Sequence, residues 1–306
     1  MKTVAEPKHR PYRTAGAPYQ IGLGPMEMAQ WLDTGPDHAT FMAAKRARLA
    51  GRPPLYYRTM PGSLLAQQEL LATILANVEA NHGHVLNRDG SLLTDRIDGT
   101  VHRLDSGQEP LDLIGAMLEE DFILFQNVDG ADLVTAASNA YTSSGRIVST
   151  VGQTMHYAHE PVPNLNAQLG PRIDRVLANI RVGLPVVRFN WFLTPFRDRL
   201  FPRDTHDNLV AAGRAMTGEL RDDPSRAGDV LWVRVERQTF VRLPETKSLA
   251  FGIHTYSDPL STLAGDNESL EGIRRLLNEY DEDRLRYANL VETRDPILRW
   301  IDSAMA

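Results

Sequence analysis

From Val230 to Leu243 apolar residues recur at every second position, and Ser248–Tyr256 continues as a second extended stretch after a short polar break. A period of two sends successive side chains to opposite faces of a strand, so this pair puts a sheet at the centre of the fold. Leu184–Leu193 reads as a third strand. Shorter strand-like runs at Phe122–Phe125, Asp132–Ala137 and Arg146–Val151 are set apart by Gly, Asn and Ser. The flanks are helical in texture. Pro25–Leu49 ends on the basic run Lys45-Arg46-Ala47-Arg48, which suits the negative end of a helix dipole, and Arg52-Pro53-Pro54 breaks it. Ser63–His82 has Ser63 as its N-cap and Leu64, Leu65, Ile74, Leu75 and Val78 near helical spacing. Asn87–Gly90 is a turn, Leu111–Glu120 a short helix, and Leu169–Ile180 a helix with Ile173, Val176, Leu177 and Ile180 on one stripe. At the end, Leu270, Ile273, Leu276, Leu277 and Tyr280 form another stripe, and a helix from Asp283 is interrupted by Pro296. Helices first, strands in the middle and helices last specify an α+β fold. The expected organisation is a flexible N-terminal arm over 1–20 and one domain over 21–306, its last helices covering about 266–303. The polar stretch 194–228 is long enough to be a lid or an insertion.

Cysteine is absent from all 306 residues. This excludes disulfides, zinc–cysteine sites, cysteine-ligated iron–sulfur clusters, thiolate-ligated haem and a cysteine nucleophile. A redox cofactor in this chain must be held by His, Tyr, Met or carboxylate, and electrons from an iron–sulfur centre have to come from another polypeptide. The formal net charge of −6 argues against nucleic acid or an anionic membrane surface as partner. No apolar run is long enough to span a bilayer, and residues 1–20 lack a signal-type apolar stretch, so a cytoplasmic protein is expected.

Candidate chemistry sits on the strands and beside the prolines. One face of Val230–Leu243 carries Leu231, Val233, Val235, Arg237, Thr239, Val241 and Leu243. Arg237 therefore interrupts an apolar row, and a guanidinium aimed into a core requires a partner. Pattern alone favours a structural carboxylate such as Glu236, Asp174 or Glu160 over a ligand anion. The opposite face, Trp232, Arg234, Glu236, Gln238, Phe240 and Arg242, reads as a solvated row or a polar pocket lining, with solvent slightly favoured. Arg188 and Asn190 fall together on the polar face of Leu184–Leu193. His156 and His159 are three apart; Pro161 and Pro163 argue for extended backbone there, which sends the two rings to opposite sides. His159, fixed just before the stiff turn His159-Glu160-Pro161-Val162-Pro163-Asn164, is placed to hold a metal or to be an ordinary loop residue. No HExxH, Walker loop, GxGxxG or GxSxG occurs in credible context.

Several segments, read in order, resemble the haem-dependent oxidative N-demethylase family. They are Ile21-Gly22-Leu23-Gly24-Pro25-Met26 through Trp31-Leu32-Asp33, Glu119-Glu120-Asp121-Phe122, His159-Glu160-Pro161-Val162-Pro163, Arg188-Phe189-Asn190-Trp191, Glu236-Arg237-Gln238-Thr239 with Arg242-Leu243-Pro244, and Phe251-Gly252-Ile253-His254-Thr255-Tyr256. The resemblance implies a PAS-like antiparallel sheet wrapped by additional N- and C-terminal helices, with b-type haem iron against the sheet. It implies a monooxygenase that uses O2 to oxidise the C–H bond next to nitrogen in a secondary or amino-acid-like amine, releasing an aldehyde. Electrons come from NADPH through flavin and iron–sulfur carriers of a reductase or ferredoxin-type partner. Carried onto matched positions, it makes His159 the first choice of axial ligand, ahead of His156 and His254. Arg237 becomes a propionate or pocket anchor, Thr255 and Tyr256 further cofactor contacts, and Arg188, Asn190, Gln238 and Arg242 the catalytic pocket. Tyr141-Thr142-Ser143-Ser144-Gly145 and His254 depart from the family pattern, which bears on the identity of the amine.

Overall fold

A computed structural model describes residues 6–14, 21–141, 146–202 and 206–305. The strands are β1 (Gly24–Pro25), β2 (Tyr57–Thr59), β3 (Leu86–Asp89), β4 (Leu92–Asp95), β5 (Val101–Arg103), β6 (Asp121–Val128), β7 (Ala131–Ser138), β8 (Val186–Thr194), β9 (Trp232–Arg242) and β10 (Leu249–Pro259). Seven of them make one antiparallel sheet in the order β1-β8-β9-β10-β6-β7-β2, and β3-β4-β5 form a small separate one. The helices are α1 (His38–Leu49), α2 (Leu64–Asn77), α3 (Pro110–Met117), α4 (Arg146–Ser149), α5 (Met155–His159), α6 (Leu165–Ala178), α7 (His206–Thr217), α8 (Ala227–Val230), α9 (Asn267–Glu279), α10 (Glu282–Tyr287) and α11 (Arg294–Ala304). The chain is thus α+β, as the element order implied.

Register decides which side chains share a face. Arg237 pairs with Phe189 and His254, whereas Gln238 pairs with Arg188 and Ile253. On the first face, Phe122, Leu124, Val241 and Ala250 pack beneath Leu70, Ile74, Leu111 and Ile114 of α2 and α3. Farther along the same face, Leu193, Val233 and Val235 are covered by Leu270, Ile273, Leu277, Ile297 and Trp300 of the C-terminal helices. The second face is covered over part of its area, while Asn190 stays exposed and Arg188, Glu236 and Gln238 half-buried. Phe240 and Phe251 stack at 4.6 Å, and Ile123, Phe125 and Ile253 lie with them under Phe41, Met42, Val148, Val151 and Ile180. Each such side chain removed from water contributes about 1.5–3 kcal/mol, so burying both faces is the main stabilising device.

The differences from the sequence reading have local causes. Arg146–Val151, expected as a strand, begins as the helical turn α4; Val148 and Val151, three apart, both enter the second-face core, which helical spacing allows and strand alternation forbids. The helix expected from Pro25 starts only at His38, because Gly35-Pro36 disfavours helical backbone ahead of it and Pro25 is used in β1. Asn87–Gly90 supplies the last residues of β3 and the turn into β4, with Gly90 at φ 58°. Pro296 does not interrupt a helix; it sits in the first turn of α11, where its missing N–H would have no intrahelical acceptor. Residues 194–228 hold α7 and α8, and Leu220 and Ala227 anchor this stretch in the C-terminal core. The segment expected to be a flexible arm is docked over its described part. Pro11–Thr14 is a 3-10 turn, Tyr12 is fully buried against Trp191 (ring centroids 5.6 Å), and a Cβ on Gly272 of α9 would lie 1.8 Å from the Tyr12 carbonyl oxygen.

Candidate functional site

Antiparallel register gathers the polar residues of the second face. Asn190 Nδ2 donates to Glu236 Oε2 at 3.2 Å, and Gln238 Nε2 donates to the same oxygen at 3.1 Å. Arg188 stands opposite Gln238 on β8 and makes no hydrogen bond among the described residues; its Nε is buried without a partner. Burial lowers the Arg188 pKa, with the Glu236 charge opposing that shift. Thr255 shares this face opposite Glu236, and its buried Oγ1 is likewise unpartnered. Four residues expected at the site, Arg188, Asn190, Gln238 and Thr255, are therefore brought together. Glu236, which ties two of them, belongs to the row that the sequence offers as solvated or pocket-lining, and it carries no site role of its own in the sequence reading.

His159 reaches the same face by a different backbone from the one expected. Met155–His159 is helical, so the prolines end the helix after His159 instead of preventing it. Helical spacing puts His156 and His159 on one side, yet their surroundings differ. His156 Nε2 lies 2.8 Å from Asp174 Oδ1 of α6, and its ring rests on Gly170, where a Cβ would meet Cε1 at 2.8 Å. The His159 ring has no hydrogen bond among the described residues. Its pKa is lowered to about 4, first by burial and then by the charges of Arg188 and His156, so it is neutral at pH 7 with a lone pair available.

The remaining expected residues lie elsewhere. Arg242 is on the second face but clasps main chain: Nη2 donates to the carbonyl of Leu177 in the last turn of α6 at 2.6 Å, Nε to that of Ile180 just beyond it at 3.1 Å, and Nη1 to Lys247 O at 2.9 Å. Arg237 and Tyr256 are on the first face. Arg237 meets none of the carboxylates considered for it; it donates to the carbonyls of Trp31 (3.1 Å) and Gln30, closing the 3-10 turn Met28–Gln30. Those carbonyls are over two hundred residues away, which is why strand alternation revealed the anomaly but not its partner. The Tyr256 hydroxyl donates to Asp33, and burial together with the Asp33 charge raises the Tyr256 pKa.

Beside Tyr256 the first face carries a buried ionic network. β6 begins at Asp121, opposite Ile253, so the rest of β10 has no strand on that side. Glu119 and Glu120 fill the space. His254 Nδ1 lies 3.2 Å from Glu120 Oε1, and His38 bridges Glu119 Oε1 and Asp95 Oδ2, each at 2.7 Å. Arg199 donates to Glu119 and, at 2.8 Å, to Asp37, while Lys45 Nζ sits 3.0 Å from Asp121. Burial pushes Glu119 up, but the His38 hydrogen bond and the His254 and Arg199 charges outweigh it and bring its pKa to about 2. Every member of this network has at least one polar partner, although Glu120 Oε2 and Arg199 Nε have none among the described residues; in the second-face group His159 and Arg188 make no hydrogen bond among those residues.

Among the described residues no group of three or more His, Asp or Glu could hold a bare metal ion. A single imidazole with a nearby cation instead fits a metal that brings its own equatorial ligands and acidic arms. The sequence pattern of the family "haem-dependent oxidative N-demethylase, alpha subunit-like" matches residues 22–298. The chain belongs to this family of haem-dependent oxidative N-demethylase alpha-subunit-like proteins.

Proposed function

We propose that this protein is the haem-binding subunit of an oxidative N-demethylase, a monooxygenase acting at the C–H bond beside an amine nitrogen. The observation that carries the proposal is the pairing of His159 and Arg188: a neutral imidazole and a guanidinium, half-buried on one face of the sheet and both without hydrogen-bond partners among the described residues. They fit b-type haem: His159 would hold its iron and Arg188 would offset the charge of a propionate. Numbered among themselves, β6 to β10 run 2-1-5-4-3 across the sheet, with α4–α6 between the second and third strands, an order that supports the PAS-like reading.

In the overall reaction an N-methylamine, O2, two electrons and two protons give the demethylated amine, formaldehyde and water. Haem, when bound, supplies the oxygen activation. The chain's own residues do the rest. Glu236, oriented by Asn190 and Gln238, presents a carboxylate to the protonated amine, while the aromatic neighbours Phe192, Phe240 and Phe251 limit water on that face. A cysteine-free chain holds no thiolate-ligated cluster, so the electrons reach it from a separate NADPH-dependent flavin and iron–sulfur partner in the cytoplasm, and the alpha-subunit-like name accords with such an assembly. Arg237 and Tyr256 support the site from the opposite face, and Arg242 fixes α6 over it.

Absorption spectra of the purified, haem-supplemented protein test this reading. A Soret band that shifts on adding dimethylamine or a larger N-methylamine is expected. His159→Ala should abolish or grossly change the band while far-UV circular dichroism stays the same; an unchanged band would remove His159 as ligand, and no band in the unaltered protein would end the haem assignment.

A further inference from the structure

We propose that Arg234 anchors a carboxylate-binding subsite on the second face of the sheet, engaged by the carboxylate of the substrate or by that of the haem. The identity of those two carriers rests on the function proposed above; the anion site itself rests on the guanidinium.

Arg234 is only 1% exposed. It lies in the row Trp232–Arg234–Glu236–Gln238 and pairs with Phe192 across β8. A guanidinium has five N–H donors. Among the described residues this one makes a single hydrogen bond, from Nη1 to the Asp198 carbonyl at a long 3.3 Å, and its buried Nε has no partner. No carboxylate comes within ion-pair distance of it among those residues. Its surroundings are aromatic: the Phe201 ring centroid at 4.3 Å, Tyr141 at 5.9 Å and Phe192 at 6.0 Å. Among the described residues the half-buried Arg188 shares this want of hydrogen-bond partners, but other arginines of the sheet and its cover differ. Arg199 has Glu119 and Asp37, while Arg237 and Arg242 each clasp several carbonyls.

Burial lowers the Arg234 pKa to about 10, which leaves it cationic at neutral pH. An unpaired buried cation is expensive, and ring faces return only part of the lost hydration. A carboxylate restores it, because its two oxygens match two guanidinium N–H groups side by side. Glu236 lies two residues along the same strand face, roughly 6.6 Å away by strand rise. That carboxylate would repel a dianion such as phosphate. An N-methyl amino acid, with its ammonium toward Glu236 and its carboxylate toward Arg234, uses both groups at once. A cleft of about 540 Å³ lies next to Arg234, lined by Phe196, Arg197, Asp198, Pro202 and Trp232, and Asp198 also holds Arg234 through its carbonyl. The incoming carboxylate takes the place of that carbonyl.

The test uses the full-length chain, Arg234→Met, which keeps the volume, and Arg234→Lys, which keeps the charge. Calorimetric titration of haem-free and haem-loaded protein with N-methylglycine and with dimethylamine reads the substrate arm. The haem arm compares haem with its dimethyl ester. If the substrate engages Arg234, N-methylglycine binds roughly ten- to a hundredfold more tightly than dimethylamine, and Arg234→Met erases that preference without altering haem affinity. If a propionate engages it, the preference erased is that for haem over its ester. Arg234→Lys retains part of whichever preference exists. Ligand-free Arg234→Met should melt at the same or a higher temperature, since an uncompensated cation has been removed. A folded Arg234→Met that keeps every carboxylate preference would overturn the proposal, as would one that melts lower in the ligand-free state, which marks a packing group. Failure of the unaltered protein to bind haem defeats the haem assignment but leaves the haem-free N-methylglycine titration to judge this site.

Discussion

At the scale of single residues, the second face contains a carboxylate with two amide donors on one oxygen. Glu236 Oε2 accepts from both Asn190 and Gln238, which fixes the carboxylate plane while leaving the other oxygen for a substrate ammonium. Glu236→Gln should therefore keep the Soret band but weaken the amine-induced shift, with affinity for dimethylamine falling about tenfold. Equal affinities in the two proteins, measured by spectral titration, would remove Glu236 from substrate binding. The polar row holding Glu236 was legible in the sequence, as was the anomaly of Arg237. What the pattern could not reveal was burial. Arg234 and Phe240 looked half-solvated because β9 alternates correctly, but α1 and α4 bring a second apolar layer onto that row from far earlier in the chain, at Met42 and at Val148. A buried Arg234 gives no local signal different from an exposed one, and only the unusual presence of Trp232 and Phe240 in the same row hinted at a cover.

At the scale of elements, packing depends on glycines whose missing side chains admit a neighbour, among them Gly272, Gly252, Gly228 and Gly170. On α9, Gly272 lets the Tyr12 carbonyl approach to where a Cβ would be. Replacing it with alanine improves intrinsic helix propensity by up to about 1 kcal/mol but expels the N-terminal segment. Gly272→Ala should lower stability by about 1–3 kcal/mol in urea titrations and expose the first residues to protease. In a chain lacking residues 1–14 the same substitution should be neutral or stabilising; a penalty of the same size in both backgrounds would mean that the clash is not the cause. The long strands β8, β9 and β10 were read almost to their ends because they combine length with alternation. The small sheet was not. Leu86–Asp89, Leu92–Asp95 and Val101–Arg103 are short and polar, and only the turn at Gly90 announced them. Likewise the helical turn Met155–His159 was hidden by its own prolines, which act on the residues after it.

At the scale of the whole molecule, the ionic network at the start of β6 governs the response to pH. Glu119 has its pKa lowered from 4.5 to about 2, and Asp33 from 3.8 to about 2; for Asp33, burial opposes the shift and hydrogen bonds from Lys8 and Tyr256 drive it. A carboxyl with a depressed folded pKa contributes stability that is complete above its unfolded value and is lost as pH falls through the folded one. His38 acts in the reverse sense. Burial draws its pKa down, but Glu119 and Asp95 raise it on balance, so its share is complete below about 6.5 and declines as pH rises through the folded value. Melting temperature should thus fall steeply between pH 4.5 and 2 and more gently on the alkaline side. Glu119→Gln should cost about 3–5 kcal/mol at pH 7 by breaking a buried pair, and should flatten the acid limb. An acid limb of unchanged steepness in that variant would place the titrating groups elsewhere. The order of elements disclosed the α+β class, but the network could not be foreseen, since its members come from separate stretches spread between Asp33 and His254. One last consequence belongs to the sheet being covered on both sides. The amide protons of β9 and of β10 from Leu249 to Ile253 have hydrogen-bonded neighbours laterally and packed layers above and below, so no small fluctuation delivers water to them. Their exchange with deuterium will follow only the opening of the entire domain, making these two strands its slowest clock.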